Sequence, residues 1–309
     1  MEIDGRHVEF SHRDKVFFPE AGLSKGDLID YYLAVAETML PHVKGHPVSL
    51  ERFPDGIEGK GFFNKDTPEH FPDWIETVTF PRREGGSFHA PVIESRAALA
   101  YLADQAVLTP HLYLAPVGNL ECPDRMIFDL DPPEGTRDFA AVRRAALDLH
   151  ELLDEPGLAA WVQTSGSKGF HLLVPLDGKR DFDEVRDFAR QTARLLVRRD
   201  PKRYTLEQRK EKRGCKVFLD VLRNSYGTTS VAPYAVRAKP GAPVATPLEW
   251  SEVERGAEPQ GWTLESVPRR LTQKEDPWAK LAKHAFSLEK PWKKLKALLE
   301  DTPPAEEED

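Results

Sequence analysis

Cysteine is close to absent from this chain. Cys122 and Cys215 are the whole supply, and neither has a second Cys or a His at zinc-finger spacing. No structural zinc is expected, and both residues are read as reduced thiols. No run of eighteen apolar residues occurs, so no membrane-spanning helix and no membrane partner are expected. The opening Met1-Glu-Ile-Asp-Gly-Arg lacks the apolar core of a secretory signal. The expected location is therefore the cytoplasm, at the nucleoid. There is no internal repeat and no G-x-x-x-x-G-K-[ST] phosphate loop. Nor is there a surplus of positive charge: 43 Lys and Arg against 51 Asp and Glu give a net charge of -8. Taken alone, that balance argues against a nucleic-acid binder.

The charge is unevenly spread, however. Between Arg190 and Lys216 stand eleven Lys and Arg against three Asp and Glu, whereas Glu300–Asp309 holds six acids and no base. A local basic surface can grip phosphates whatever the total. The 309 residues suffice for one large domain or two small ones.

Ser24-Lys-Gly-Asp27 resembles a helix capping box, with Asp in place of Glu. Leu28, Tyr31, Tyr32, Val35 and Met39 follow at the spacing of one apolar helix face, which Pro41 is expected to end. Residues 45–95 read as short strands and loops, and 95–106 as a helix. The centre is more regular. A strand over 125–131 is stopped by Pro132-Pro133, and a helix follows over 137–154. A hairpin joins 159–164 to 170–175 through Ser165-Gly-Ser-Lys-Gly169. A helix over 181–199 and a strand over 216–222 complete the series. That order implies a mixed sheet covered by helices. Residues 233–268 read as loop with short strands, and the acidic end as a disordered tail.

Asp129 and Asp131 are the strongest local signal. At i and i+2 on a strand they share a face, with Cα atoms roughly 6.5–7 Å apart. Two carboxylates ~5 Å apart repel by about 3 kcal/mol at an effective dielectric near 20. A divalent cation reverses that sign, and strand-borne carboxylates hold Mg²⁺ or Mn²⁺ between protein and a triphosphate. A strand end opening into solvent would explain the pair equally well. Asp220 shifts the balance, because it sits in the apolar run Lys216-Val-Phe-Leu-Asp-Val-Leu222, where a buried acid needs a donor or a metal. If that strand lies beside the first, three carboxylates converge.

The turn Ser165–Gly169 supplies the complementary chemistry. Two glycines allow backbone N–H groups near an anion, and hydroxyls, Lys168 and His171 add donors; an ordinary Gly/Ser turn is the plainer reading. Arg223 and Arg237 could each clamp phosphate oxygens or simply lie on the surface. A lone histidine such as His111 is most often structural. Phe62 and Phe63 follow Gly59-Lys60-Gly61; one could stack on a base while the other enters the core, or both could be core.

With Asp129-Leu-Asp-Pro132, Ser165-Gly-Ser-Lys-Gly-Phe-His171 and Phe218-Leu-Asp-Val-Leu-Arg-Asn224 in this order, the sequence resembles the polymerase domain of bacterial end-joining DNA ligase D. That family belongs to the archaeo-eukaryotic primase superfamily, and the likeness runs over roughly 5–290. It implies an α+β fold, an RRM-like mixed sheet packed with a second α/β layer. It implies a catalytic domain over 1–290, then a helix end and acidic tail over 291–309. It implies that Asp129, Asp131 and Asp220 hold two Mn²⁺ or Mg²⁺ ions. Ser165, Lys168, His171, His111 and Arg237 would bind a ribo- or deoxyribonucleoside triphosphate, with Arg223 supporting that site. Phe63 would stack on the incoming nucleotide and Phe62 would wedge against the template. Lys15 and Lys25 would take the 5′-phosphate of a gap. Arg52, counted with the nucleotide contacts, and Lys65 would line the DNA path. Ribonucleotides would be preferred, at broken ends or short gaps.

The family's usual ligase and phosphoesterase segments do not fit in this length, and no adenylation lysine motif is found. A separate ATP-dependent ligase, and the Ku end-binding protein, are the expected partners on DNA. Two other readings compete. One is a haloacid-dehalogenase-type phosphatase, for which the D-x-D strand speaks but the missing Asp-Asp pair and Pro132-Pro133 do not. The other is a non-catalytic DNA-end binding or bridging module, against which the three acids speak.

Overall fold

In a computed structural model, residues 1–136 and 138–302 are described. Residues 303–309 of the expected acidic tail lie outside them, as does Arg137, which the expected 137–154 helix included. The chain forms two compact units. The first comprises Met1–Leu120, Thr229–Thr246 and Gln260–Asp276; the second comprises Glu121–Thr228, Pro247–Pro259 and Pro277–Asp309.

The first unit is built around an antiparallel sheet of four strands, in the order Thr229–Val231, Val107–Tyr113, Val48–Arg52 and Phe62–Asn64. Helices Lys25–Val43 and Arg96–Asp104 pack on each other in this unit. The expected capping box is present. Asp27 N–H donates to Ser24 Oγ, and Ser24 N–H donates to Asp27 Oδ2 at 2.7 Å. Leu28, Tyr31, Tyr32, Val35 and Met39 are all buried. The helix does not stop at Pro41, as the sequence suggested, but runs on to Val43. Proline removes one N–H and crowds the preceding turn, yet Lys44 N–H still reaches Leu40 O at 3.0 Å and closes the end.

The second unit holds a six-stranded mixed sheet in the order Tyr204–Thr205, Val217–Asp220, Arg125–Asp131, Phe170–Pro175, Trp161–Thr164 and Pro247–Leu248. All pairs are antiparallel except the first, which is parallel. Along Arg125–Asp131, Met126, Phe128 and Leu130 are fully buried, whereas Asp129 and Asp131 belong to the opposite face. Helix Phe139–Asp154 packs Val142, Ala145, Leu149 and Leu153 inward. Helix Phe182–Arg199 does the same with Val185, Phe188, Ala189 and Leu196. Its start is fixed by an Asp181–Glu184 capping box, and Arg198 and Arg199 complement the dipole at its end. The stretch read as loop over 233–268 contains the short helix Trp250–Glu254 and the start of helix Ser266–Gln273. Both are too short for a clear periodic signal. Among the described residues, no helix is long and apolar enough to cross a membrane.

Candidate active site

Four adjacent strands of the second unit put a row of polar side chains on one face. Asp129 pairs across the ladder with Asp220 on one side and His171 on the other, and His171 pairs in turn with Gln163. Asp131 lies one step along the same strand face. The two carboxylates separated by ninety-one positions in the chain are therefore direct cross-strand neighbours, the closest placement a sheet offers.

His171 Nε2 stands 3.2 Å from Asp129 Oδ1, and the Gln163 amide lies 3.4 Å from His171 Nδ1. Arg223 Nε donates to Asp129 Oδ2 at 3.4 Å and lies 4.0 Å from Asp220 Oδ2. Leu222 N–H donates to Asp220 Oδ1 at 2.8 Å. Arg223 is held in place by its neighbour. The strand carrying Asp220 ends in a 3-10 turn over Leu222–Asn224, and the Asn224 amide continues the ladder there. It accepts from Ile127 N–H at 2.8 Å and donates to Ile127 O at 2.7 Å, while fully buried.

The electrostatics of the three acids differ. Burial alone would raise Asp129, but the charge and hydrogen bond of His171, with Arg223, outweigh it and pull the carboxyl below its usual range. Asp131 is raised to about 6, by burial first and then by the charges of Asp129 and Asp220, which His171 and Arg213 only partly offset. Burial likewise raises Asp220, against the hydrogen bond from Leu222 N–H. Asp131 is thus the acid that the protein compensates least.

Among the described residues, no three His, Cys, Asp or Glu side chains stand ready as a ligand set; Asp129 is turned toward His171 and Arg223. The donor chemistry nonetheless fits a hard divalent cation, which takes carboxylate oxygens. Three carboxylates crowd one sheet face, and two of them are held above their ordinary range by burial and by the neighbouring Asp129.

A prediction follows for Asp131→Asn. Between about pH 4 and pH 6 an unfolded Asp131 loses its proton while the folded one keeps it. Stability therefore falls as pH rises through that window, and the full cost applies above it. That window corresponds to a ceiling of about 3 kcal/mol. The Asn variant should melt several degrees higher than the parent in EDTA at pH 7.5, and the difference should vanish near pH 4. Added Mn²⁺ should raise the melting temperature of the parent and leave that of the variant nearly unmoved. Equal melting curves in EDTA at pH 7.5 would count against the assigned repulsion.

The turn Ser165–Gly169 differs from expectation in one respect. The oxygen of Ser165 accepts from Ser167 N–H at 3.2 Å and from Gly169 N–H at 3.0 Å. Two N–H groups expected to face an anion are consumed inside the turn, because a serine hydroxyl competes locally for backbone donors. Ser165 is buried, whereas Lys168 is exposed at the tip.

The remaining expected residues lie in the first unit. His111 Nε2 stands 3.2 Å from Glu51 Oε2, and Phe63 meets His111 edge-on with ring centroids 5.2 Å apart. Phe63 is 56% exposed and Phe62 43%. That removes the reading with both in the core, and also the reading with one in the core. Arg52 lies 5.7 Å from the centroid of the Phe62 ring and donates through Nε to Gln105 O. The charge of Arg237 helps hold Glu51 below its usual range, after the larger effects of burial, which opposes, and of His111. Lys65 is exposed just past the strand Phe62–Asn64. Lys15 pairs with Asp55 at 2.7 Å on the surface. Lys25 is buried, paired with buried Asp104 at 2.7 Å, and donates to Ser11 Oγ. Lys15, Lys25, Arg52 and His12 line one pocket of about 260 Å³.

Three contributors escaped the sequence reading. Asn224 stood in a quoted motif without a role. Glu51 lay in the segment read as short strands and loops and had no role assigned. Arg213, buried with its guanidinium 3.6 Å from the centroid of the Phe218 ring, was hidden in a run of bases.

Residues 24–278 match the family model described as LigD, primase-polymerase domain. The chain is 37% identical over 280 residues to the multifunctional non-homologous end joining protein LigD of Pseudomonas aeruginosa, covering 89% of this chain and 33% of that protein. It is 30% identical over 272 residues to the bifunctional LigD of Bacillus subtilis, covering 88% and 43% respectively. It thus spans about a third to under half the length of these relatives. Among solved structures, the polymerase domain of Mycobacterium tuberculosis ligase D in complex with DNA superposes with a TM-score of 0.84 at 34% identity. That match covers 91% of this chain and 99% of the other.

Proposed function

The chain belongs to the LigD primase-polymerase family and has its archaeo-eukaryotic primase fold, and from that premise we propose that it is a metal-dependent nucleotidyltransferase adding nucleotides to DNA 3′ ends or short gaps during break repair. The observation that carries this reading is the row Asp220–Asp129–His171, with Asp131 beside it. Family membership sets the phosphatase alternative aside. Retention of all three acids favours an enzyme over a non-catalytic end-binding module.

Asp129, Asp131 and Asp220 would hold Mn²⁺ or Mg²⁺. Bound there, such ions neutralise triphosphate charge and lower the pKa of a primer hydroxyl. His171 fixes the carboxylate of Asp129 from one side and Arg223 from the other, so the acid is pre-oriented. Lys168, at the exposed tip of its turn, is free to reach a triphosphate. Ser165 sets the shape of that turn from within. In the first unit, Glu51 orients His111, and exposed Phe63 leans on the same imidazole. The family role of His111 and Arg237 in nucleotide contact, of Phe62 against the template, and of Arg52 and Lys65 along DNA belongs to this proposal. So do ribonucleotide preference, a separate ligase and Ku.

Primer extension on a gapped duplex tests the reading. It compares ribo- with deoxyribonucleotides and Mn²⁺ with Mg²⁺, with and without a 5′-phosphate. No addition under any metal would overturn the enzyme reading. For Phe63→Ala, nucleotide or template affinity should fall by about 1–3 kcal/mol if the ring stacks on a base; an unchanged apparent affinity in a titration of the nucleotide and of the template would return Phe63 to a packing role.

The 5′-phosphate role of Lys15 and Lys25 calls for a careful choice of variant. Lys25→Ala would leave buried Asp104 without its cation, at a cost of roughly 3–5 kcal/mol in stability. Lys15→Ala removes only a surface pair. It should weaken binding of 5′-phosphorylated gaps by about tenfold, the worth of a charge-assisted contact, and spare unphosphorylated gaps. Equal losses on both substrates, measured by anisotropy, would reject the pocket.

A further inference from the structure

Helix Phe182–Arg199 carries a row of arginines that none of the roles above uses. Arg186, Arg190 and Arg194 recur every fourth residue, so they form one stripe along the helix with ~6 Å of rise between successive members. Like charges at this spacing destabilise a helix slightly. The helix does little to compensate them. Arg186 pairs with Asp183 at 2.9 Å, and Arg194 reaches only the Gln191 amide oxygen at 3.5 Å. Arg190 is exposed, and among the described residues it meets no carboxylate and no hydrogen-bond acceptor. Arg198, the next member of the stripe, is occupied differently: it donates to Leu299 O and Thr302 O at the end of helix Glu289–Asp301.

The three arginines face a groove of about 360 Å³. Leu206 and Gln208 line it on the side of a loop. That loop is clamped from beneath, since Arg213 donates to Glu207 O and Gln208 O, each at 2.9 Å. The strand Val217–Asp220 and the turn after it form the remaining wall, with Phe218, Asp220 and Leu222 among its residues. Leu222 is 43% exposed. Cations spaced along one side, with half-buried Leu206 and exposed Leu222 on the other and Asp220 at the end nearest the acids, suit an occupant with regularly spaced negative charges and apolar faces between them. A nucleic-acid strand is such an occupant.

We propose that this groove binds the phosphodiester backbone of a DNA strand beside the reacting end, with Arg190 and Arg194 as its phosphate contacts. The assignment of DNA rests on the proposed function; the anion groove itself does not. A strand seated there runs along the acid-bearing strand Val217–Asp220, within the second unit alone. It also gives a use to Arg190 and Arg194, two of the eleven bases between Arg190 and Lys216.

The test uses the full chain carrying Arg190→Glu with Arg194→Glu, and a second variant, Arg190→Gln with Arg194→Gln. Thermal melts establish that both fold, and the Gln pair keeps the test open if the Glu pair does not. Binding of a fluorescein-labelled gapped duplex is followed by anisotropy from 50 to 200 mM KCl. Loss of two phosphate contacts should lower affinity by about tenfold or more at low salt and reduce the log–log salt slope by roughly 1.5–2. In primer extension, the DNA concentration at half-maximal rate should rise in parallel, with the rate at saturating DNA within about threefold of the parent. Unchanged DNA affinity and salt slope in the folded variants would overturn the groove. The binding arm is repeated in Asp129→Ala, in which nucleotide addition is severely impaired on the reading above. There the arginine variants should still lose affinity, so a failure of the groove and a failure of the enzyme reading are told apart.

Discussion

Asp129→Ala and Asp220→Ala are each expected to lower nucleotide addition by roughly 10²–10³-fold or more, the scale of losing a principal electrostatic group at a transition state. DNA affinity should stay within a few fold of the parent. The two residues sit opposite each other in the ladder, so either substitution removes half of the closest carboxylate pair in the sheet. Alanine at 129 also removes the carboxylate that His171 and Arg223 share, and leaves Arg223 the more distant Asp220 at 4.0 Å. Folding should survive, because the apolar face of Met126, Phe128 and Leu130 is untouched and removing a carboxylate relieves repulsion on Asp131. Single-turnover primer extension alongside anisotropy separates the two effects. Parental rates in both folded variants would refute the role given to the acids.

Gly169→Ala should have a large effect on stability. A Cβ at this position would stand 1.7 Å from Leu130 O and 2.9 Å from Leu130 C. Neither is the movable tip of a side chain; both are backbone of the strand that carries Asp129 and Asp131. Relief requires Gly169 or that strand to shift. A shift of Gly169 breaks its N–H bond to Ser165 Oγ and the Ser165 N–H bond to Gly169 O. The cost should exceed the 1–3 kcal/mol of ordinary overpacking and lower the melting temperature by roughly 10 °C or more. Activity should fall with it, since Lys168 and His171 flank the glycine. A melting temperature within about 2 °C of the parent would mean that the hairpin accommodates a methyl group and does not register the site.

These consequences were legible in the sequence to different degrees. Local signals carried well. The capping residues Ser24 and Asp27, the apolar stripe from Leu28 to Met39, and the hairpin around Ser165–Gly169 are set by neighbours a few positions away. Asp129 and Asp131 could be placed on one strand face for the same reason. The pairing of Asp129 with Asp220 could not, because register between strands ninety-one positions apart depends on packing that no local pattern encodes; resemblance to a family supplied that expectation. The inward turn of Ser165, the burial of Lys25 against Asp104, and the ladder contact of Asn224 were hidden for a related cause. Each is a polar side chain whose partner is fixed only by the tertiary fold. Helix Trp250–Glu254 was missed because five residues give too little periodicity. Pro41 misled because a proline near a helix end removes one bond without forbidding the next.

Direct titration of Mn²⁺ is the sharpest test of the central claim. Electron paramagnetic resonance should be followed with a nucleoside triphosphate analogue that cannot be cleaved between its α- and β-phosphates. The parent should bind Mn²⁺ beyond what the analogue holds by itself, and Asp131→Asn and Asp220→Asn should each lose that increment. Binding to both variants as tight as to the parent would contradict the claim that these carboxylates hold the cation.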